Sequence, residues 1–261
     1  MKRRIDQLLV ERGFAESRHK AQALLLAGQI LVAEQKIEKP GQLVEPDAEI
    51  RVLRRLPFAS RAGAKLQAAL DHFRIPVAGK ACADLGASTG GFTDCLLQNG
   101  ASIVYAFDVG KGQLDWRLRS DPRVVVRDGF NVRNLRPGDL PDEIVAVTID
   151  LSFISVTKVL PALKESLVVG NAPANAECQP HSADVIVLVK PQFEVGKGEV
   201  GKGGIVRDPR RRLQALKGVE EFARRAGFQV IGSIPSPVAG AQGNQEFLLY
   251  LQLAKGLLSS L

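Results

Sequence analysis

From residue 81 onward the hydrophobic positions come in short unbroken blocks: ACADLGA, IVYAFDV, VVV, IVAVTIDL, DVIVLVK, QVIGSI and EFLLYLQL, with helical stretches between them. Continuous β-branched blocks alternating with helices predict seven strands in a mostly parallel sheet covered on both faces. Such sheets bind ligands beyond the carboxyl ends of their strands. Before residue 60 the pattern differs. Ala21, Leu24, Leu25 and Gly28 recur at i, i+3, i+4 and i+7, which predicts a helix capped by Ser17 and ended by Gly28. IDQLLVERG predicts a shorter helix stopped by Gly13, and short strands are expected at residues 30–32, 36–37 and 50–53, between Pro and Gly turns. RRLPFAS, residues 54–60, reads as a connector, so the expected domains are 1–59 and 60–261.

Composition adds a partner class. The chain has 261 residues, 45% of them hydrophobic, enough for a sizeable core, and its net charge of +7 argues for a polyanion. In residues 1–60 five of the eight acids fall at residue 34 or later, so positive charge concentrates on the helix pair. Cys82, Cys95 and Cys178 lack CxxC spacing and suit reduced thiols of a cytoplasmic protein. His19, His72 and His181 stand apart from one another, and no metal ligand set is expected. With no apolar run of about 18 residues and an early run of charges, neither a membrane span nor a signal peptide is expected.

The stretch DLGASTGGFTDCLL follows the first apolar block. GASTGGFT fits a phosphate-loop pattern except that Phe92 stands where the lysine belongs, which disfavours a triphosphate. It also misses the dinucleotide fingerprint, because Ser88 occupies the place of the second glycine. A glycine-rich turn from strand to helix then serves close approach to a bulky ligand without phosphate, and S-adenosylmethionine is such a ligand. Gly86, Ser88, Thr89, Gly90, Gly91 and Phe92 are its candidate contacts. Asp108, 22 residues beyond Gly86, is placed to accept from ribose hydroxyls, and Asp128 from the adenine amino group; each could equally be a loop cap.

Ionisable residues stand at the ends of apolar blocks: Asp150 after IVAVTI, Lys190 after DVIVLV, and Glu246 before FLLY, with Lys65 in the helical entry SRAGAKL. Such groups are costly unless paired, so a structural salt bridge is one reading. The other is methyl transfer to an alcohol. There Lys190 withdraws the hydroxyl proton, burial and the nearby cation Lys65 favour its neutral amine, Asp150 orients it and Glu246 fixes Lys65.

RRIDQLLVERGFAESRHKAQALLLAGQILV resembles the S4-like RNA-binding domain. The resemblance implies RNA contacts at Arg3, Arg4, Arg18 and Lys20, and at Lys36 and Lys39. AEQK, after Val32, departs from the small turn common there. DLGASTGGFTDCLLQNGA, DVGKGQL, DPRVVV, DLSFIS, VKPQFEVGKGEVGKGGIVRD and GNQEFL are similar to the hemolysin A or TlyA-type family, related to FtsJ-type ribose methyltransferases. That resemblance implies a Rossmann-like α/β class I methyltransferase domain behind a small α+β domain. It also implies S-adenosylmethionine as cofactor, 2′-O-methylation of cytidine in ribosomal RNA, and a Lys-Asp-Lys-Glu tetrad on Lys65, Asp150, Lys190 and Glu246. Lys111 and Arg212 stand where the family often has Tyr and His. The glycine-lysine stretch 196–204 is expected to be a mobile loop closing on RNA phosphates, and residues 170–182 a surface excursion. A non-enzymatic ribosome-binding factor and a membrane-active hemolysin are the rival functions.

Overall fold

The computed structural model describes residues 2–26, 28–52, 57–141, 144–168, 182–196, 198–201, 203–240 and 243–254. Connector residues 54–56, nearly all of the excursion at 170–182 with Cys178 and His181, and Lys197 and Lys202 of the glycine-lysine loop lie outside the described residues. The chain forms two compact units, Met1–Leu56 and Pro57–Leu261. The second begins three residues before the expected boundary because Phe58 and Ala59 pack on its core and the Ala59 N–H donates to Asp94 Oδ2 at 2.7 Å.

In the first unit the order is β1 (Arg3–Arg4), α1 (Ile5–Glu11), α2 (Arg18–Leu26), β2 (Ile30–Val32), β3 (Gln35–Ile37), β4 (Leu43–Val44) and β5 (Ile50–Val52). Ala21 and Leu25, one turn apart on α2, meet Ile5, Leu8 and Leu9 of α1 and Ile30 of β2 in one small core. β2 lies between β3 and β5, antiparallel to both, while β1 and β4 form a two-stranded ribbon that the hydrophobic pattern did not announce. Val32 pairs with Gln35, leaving a two-residue turn in which Ala33 and Glu34 have φ of 46° and 62°. A turn with both central residues left-handed matches the twist of the strands, here without the usual Asn-Gly.

The second unit runs α3 (Ala62–Phe73), β6 (Ala81–Leu85), α4 (Gly91–Gln98), β7 (Ile103–Asp108), α5 (Trp116–Arg119), β8 (Val124–Asp128), β9 (Ile144–Ile149), α6 (Leu160–Val168), β10 (Ser182–Val189), α7 (Pro191–Glu194), α8 (Pro209–Arg225), β11 (Gln229–Pro235) and β12 (Phe247–Ala254). Its seven strands are ordered β11-β12-β10-β9-β6-β7-β8. β6 to β10 are parallel to their neighbours, whereas β12 inserts antiparallel between β10 and β11. The period-two alternation of a strand divides β10: Val185, Val187 and Val189 face one core with α6 and α8, Ile186 and Leu188 the other with α3 and α4. Each such side chain, fully buried, contributes about 2 kcal/mol. Cys82 and Cys95 are buried free thiols, which burial pushes up to about 12.

Candidate active site

The site grows from the carboxyl ends of β6, β7, β9 and β10. At Gly86 the chain turns with φ +94°, and a Cβ there would collide with the Asp150 carbonyl oxygen, so only glycine lets the ends of β6 and β9 come this close. Asp150 N–H in turn donates to Leu85 O at 3.0 Å. The backbone N–H groups of Gly86 and Ala87 both reach Phe107 O, which draws the glycine turn over the end of β7. Directly behind it, Gly91 opens α4 where a Cβ would strike Ser60 and Ala62, so α3 and α4 touch at their first turns. That contact brings Lys65 of α3 toward the sheet.

Beyond the strand ends is a cavity of about 810 Å³ lined by Gly86, Ser88, Asp108, Asp150, Ser152 and Phe153, with Phe130, Asn131, Val132 and Phe193 among its other walls. Asp108 faces it while its oxygens accept the N–H groups of Ser88 and Gly110, each at 2.7 Å. Asp108 is thus a loop cap, and it also lines the cavity. The apolar walls, the carboxylate at the rim and the space beside Gly86 fit an adenosyl group with a sulfonium tail.

The remaining residues of the glycine stretch play other parts. Phe92, expected at the ligand, is 2% exposed and packed in the core, because its helical position turns it inward. Gly90 lies against Leu114 and Leu118, and Thr89 O accepts the Asp115 N–H. Thr93, at the place of the phosphate-loop threonine, donates to buried Asp84 at 2.7 Å. Asp128 does not line the cavity; it accepts from Arg119 at 2.5 Å and Gly112 N–H at 3.1 Å, and the arginine lowers its pKa. Asn131 and Phe130, just after it, line the wall instead, and the polar and aromatic letters of DGFN were their signal.

The four ionisable residues form two ion pairs. Lys190 Nζ lies 2.6 Å from Asp150 Oδ1 and donates to Ser152 Oγ at 2.9 Å. Asp150 Oδ1 is buried and has no other polar partner among the described residues, so Lys190 is what offsets its charge. Lys65 Nζ donates to Glu246 Oε2 at 2.6 Å, and this pair is almost wholly enclosed, with side chains 10% and 2% exposed. Gly240 leaves room for that carboxylate; a Cβ would overlap it. The register Val189 to Phe247 places Lys190 and Glu246 side by side, one just past the end of β10 and the other just before β12, so the two pairs sit at one end of these strands. Of the four residues, Asp150 lines the cavity.

In the first unit each arginine expected at RNA already has a partner. Arg4 and Arg18 both donate to Asp6, whose side chain is fully buried, at 3.0 and 2.9 Å; Arg4 foremost holds this carboxyl far below the usual range. Arg3 pairs with Glu11, Lys20 with Glu16, and Lys36 with Glu38, all exposed, and Lys39 is exposed too.

Comparison with known proteins agrees with this architecture. The model for FtsJ-like methyltransferases matches residues 58–253, and that for the S4 domain residues 3–50. The 16S/23S rRNA (cytidine-2′-O)-methyltransferase TlyA of Mycobacterium tuberculosis is 44% identical over 95% of this chain and 89% of its own length. Hemolysin A of Brachyspira hyodysenteriae is 40% identical over 95% and 98%. A solved structure from Streptococcus thermophilus, described as a hemolysin, covers 98% of this chain and 90% of its own at 38% identity, with a TM-score of 0.71. A seven-stranded sheet with its cavity at the carboxyl ends, an S4 domain ahead of it, and identity of this extent make the chain a member of the TlyA/hemolysin A family of S-adenosylmethionine-dependent, FtsJ-like methyltransferases.

Proposed function

We propose that this chain methylates the ribose 2′-hydroxyl of a cytidine in ribosomal RNA, with Lys190 as general base, in the cytoplasm. The observation that carries the reading is the Lys190 side-chain nitrogen held by Asp150 and Ser152 beside the cavity. The nucleotide comes from the name of the M. tuberculosis relative. When bound, the cofactor supplies an electrophilic methyl on a sulfonium. Lys190, as the neutral amine after release of a proton to solvent, takes the hydroxyl proton as the oxygen attacks the methyl, and Asp150 offsets the ammonium that results. Lys65 and Glu246 hold the strand ends beside which Lys190 sits; each would be a buried unpaired charge without the other. Asp108 and Gly86 seat the adenosyl group. In this reading residues 1–59 anchor the RNA through Arg3, Arg4, Arg18, Lys20, Lys36 and Lys39, with Arg4 and Arg18 also tied to Asp6.

The test is incorporation of tritiated methyl groups into ribosomal subunits by the wild type and by Lys190→Ala. Loss of the base lowers the rate about 100-fold or more, with cofactor affinity changed less than threefold. Equal incorporation by both proteins removes Lys190 from the chemistry. Incorporation by neither favours the RNA-binding factor without enzymatic activity. Lys65→Ala is the poorer probe, because it strands Glu246 and costs about 3 kcal/mol of stability.

A further inference from the structure

We propose that Glu194 is a positioning residue for methyl transfer: by gripping Ser155 and Val156 it fixes the segment from Asp150 to Ser155 against the end of β10 that carries Lys190. The proposal rests on the reading of Lys190 given above. α7 starts at Pro191, directly after Lys190, and ends at Glu194, so this carboxylate stands one turn beyond the base. Both its oxygens are used. Oε2 accepts the Ser155 hydroxyl at 2.6 Å and Oε1 the Val156 N–H at 2.9 Å. Ser155 itself caps the short 3-10 turn Val156–Lys158, accepting the Thr157 N–H.

Two stretches of chain are thus tied at two points. At one end Lys190 holds Asp150 and Ser152; at the other Glu194 holds Ser155 and Val156. Between the ties Phe153 is 92% exposed with φ +66°, its ring 5.3 Å from that of Phe193. A left-handed phenylalanine costs about 1–2 kcal/mol, and a ring this exposed regains only part of it from one tilted contact with Phe193, so the surroundings must impose this conformation. The grip of Glu194 is an interaction able to do so. Burial raises its pKa, the two hydrogen bonds oppose that, and no ion pair of Glu194 forms among the described residues. A carboxylate kept in so costly a setting calls for a task, and the task here is the shape of the cavity wall at Asp150, Ser152 and Phe153.

The experiment uses the full chain with Glu194→Leu, Glu194→Gln and Lys190→Ala. Hydrogen exchange of the peptide 150–158 reads the grip, and kcat and KM for RNA and cofactor read its consequence. In Glu194→Leu that peptide should exchange about tenfold faster, kcat should fall 10- to 100-fold, and KM for the cofactor should stay within threefold. Glutamine keeps a carbonyl for Val156 N–H and offers its amide to Ser155 Oγ, so Glu194→Gln should return kcat to within threefold of wild type. Unchanged exchange in Glu194→Leu, an undiminished kcat, or equal impairment by Gln and Leu overturns the proposal. So does a parallel loss of cofactor affinity and melting temperature, which marks a role in the fold alone. If Glu194→Leu does not fold, Ser155→Ala removes the other half of the grip, and its exchange and kcat must shift the same way. Full activity of Lys190→Ala is the separate result that sinks the catalytic reading itself, whatever the exchange shows.

Discussion

Asp84 has no exposed surface, and its carboxyl accepts from the Thr93 and Thr148 hydroxyls at 2.7 and 2.9 Å. Burial outweighs those bonds and pushes its pKa up to about 6, with Asp150 adding in the same direction. Because the folded value lies above the unfolded one, near 3.9, the folded chain binds this proton more tightly. The cost of the charge is therefore complete above pH 6 and fades as pH falls toward 4. Asp84→Asn, which keeps an acceptor and adds a donor for the two threonines, should be more stable than wild type at pH 7.5, by up to about 3 kcal/mol. Thermal unfolding at pH 7.5 and 4.5 checks this; an advantage that does not shrink on acidification refutes it. At this scale the sequence was uneven in what it disclosed. Lys190 and Asp150 stood out because a charge ending an apolar block is energetically odd. Glu194 and Phe153 did not, since a glutamate in a short polar stretch looks like any solvated acid and backbone strain has no letter of its own.

Among elements, the turn between β2 and β3 holds avoidable strain. Ala33 and Glu34 both occupy the left-handed region, where Asn and Gly sit more easily. The double change Ala33→Asn with Glu34→Gly should raise the stability of the first unit by about 1 kcal/mol, even after loss of the exposed Glu34–Arg51 pair. Denaturant melting monitored in that unit is the check, and a lower midpoint would contradict the turn assignment. The strands of the large sheet were legible because short unbroken apolar blocks mark them, β-branched in β7 to β11 and built of Ala, Leu and aromatics in β6 and β12. β1 and β4 were not: Arg-Arg and Leu-Val are too short for any period, and their pairing is tertiary. The insertion of β12 was equally silent, since a block of apolar residues specifies burial without direction.

For the whole molecule, the proposed division of labour, RNA anchoring in the first unit and methyl transfer in the second, predicts that their affinities can be separated. Arg18 is a poor handle, because removing it also exposes the Asp6 network. Lys20 and Lys39 are better: both are exposed, and the Lys20–Glu16 pair contributes little to the fold. Lys20→Ala with Lys39→Ala should weaken RNA binding, flatten its dependence on salt by about 1 per lysine that met a phosphate, and leave cofactor affinity as it was. Filter binding across a salt series, beside calorimetry with the cofactor, measures both; an unaltered slope moves the anchor elsewhere.

The reversed strand has an implication for how the enzyme comes into being. β12 is the last element described, and Glu246 enters just ahead of it to meet Lys65, a residue made 181 positions earlier. A nascent chain halted before that point leaves β11 without its partner strand and Lys65 nearly enclosed without the carboxylate that neutralises it. If Lys190 is the base proposed above, competence arrives in one step, with the closing of the final hairpin, and an unfinished copy cannot hold the strand ends at which a methyl would be passed to RNA.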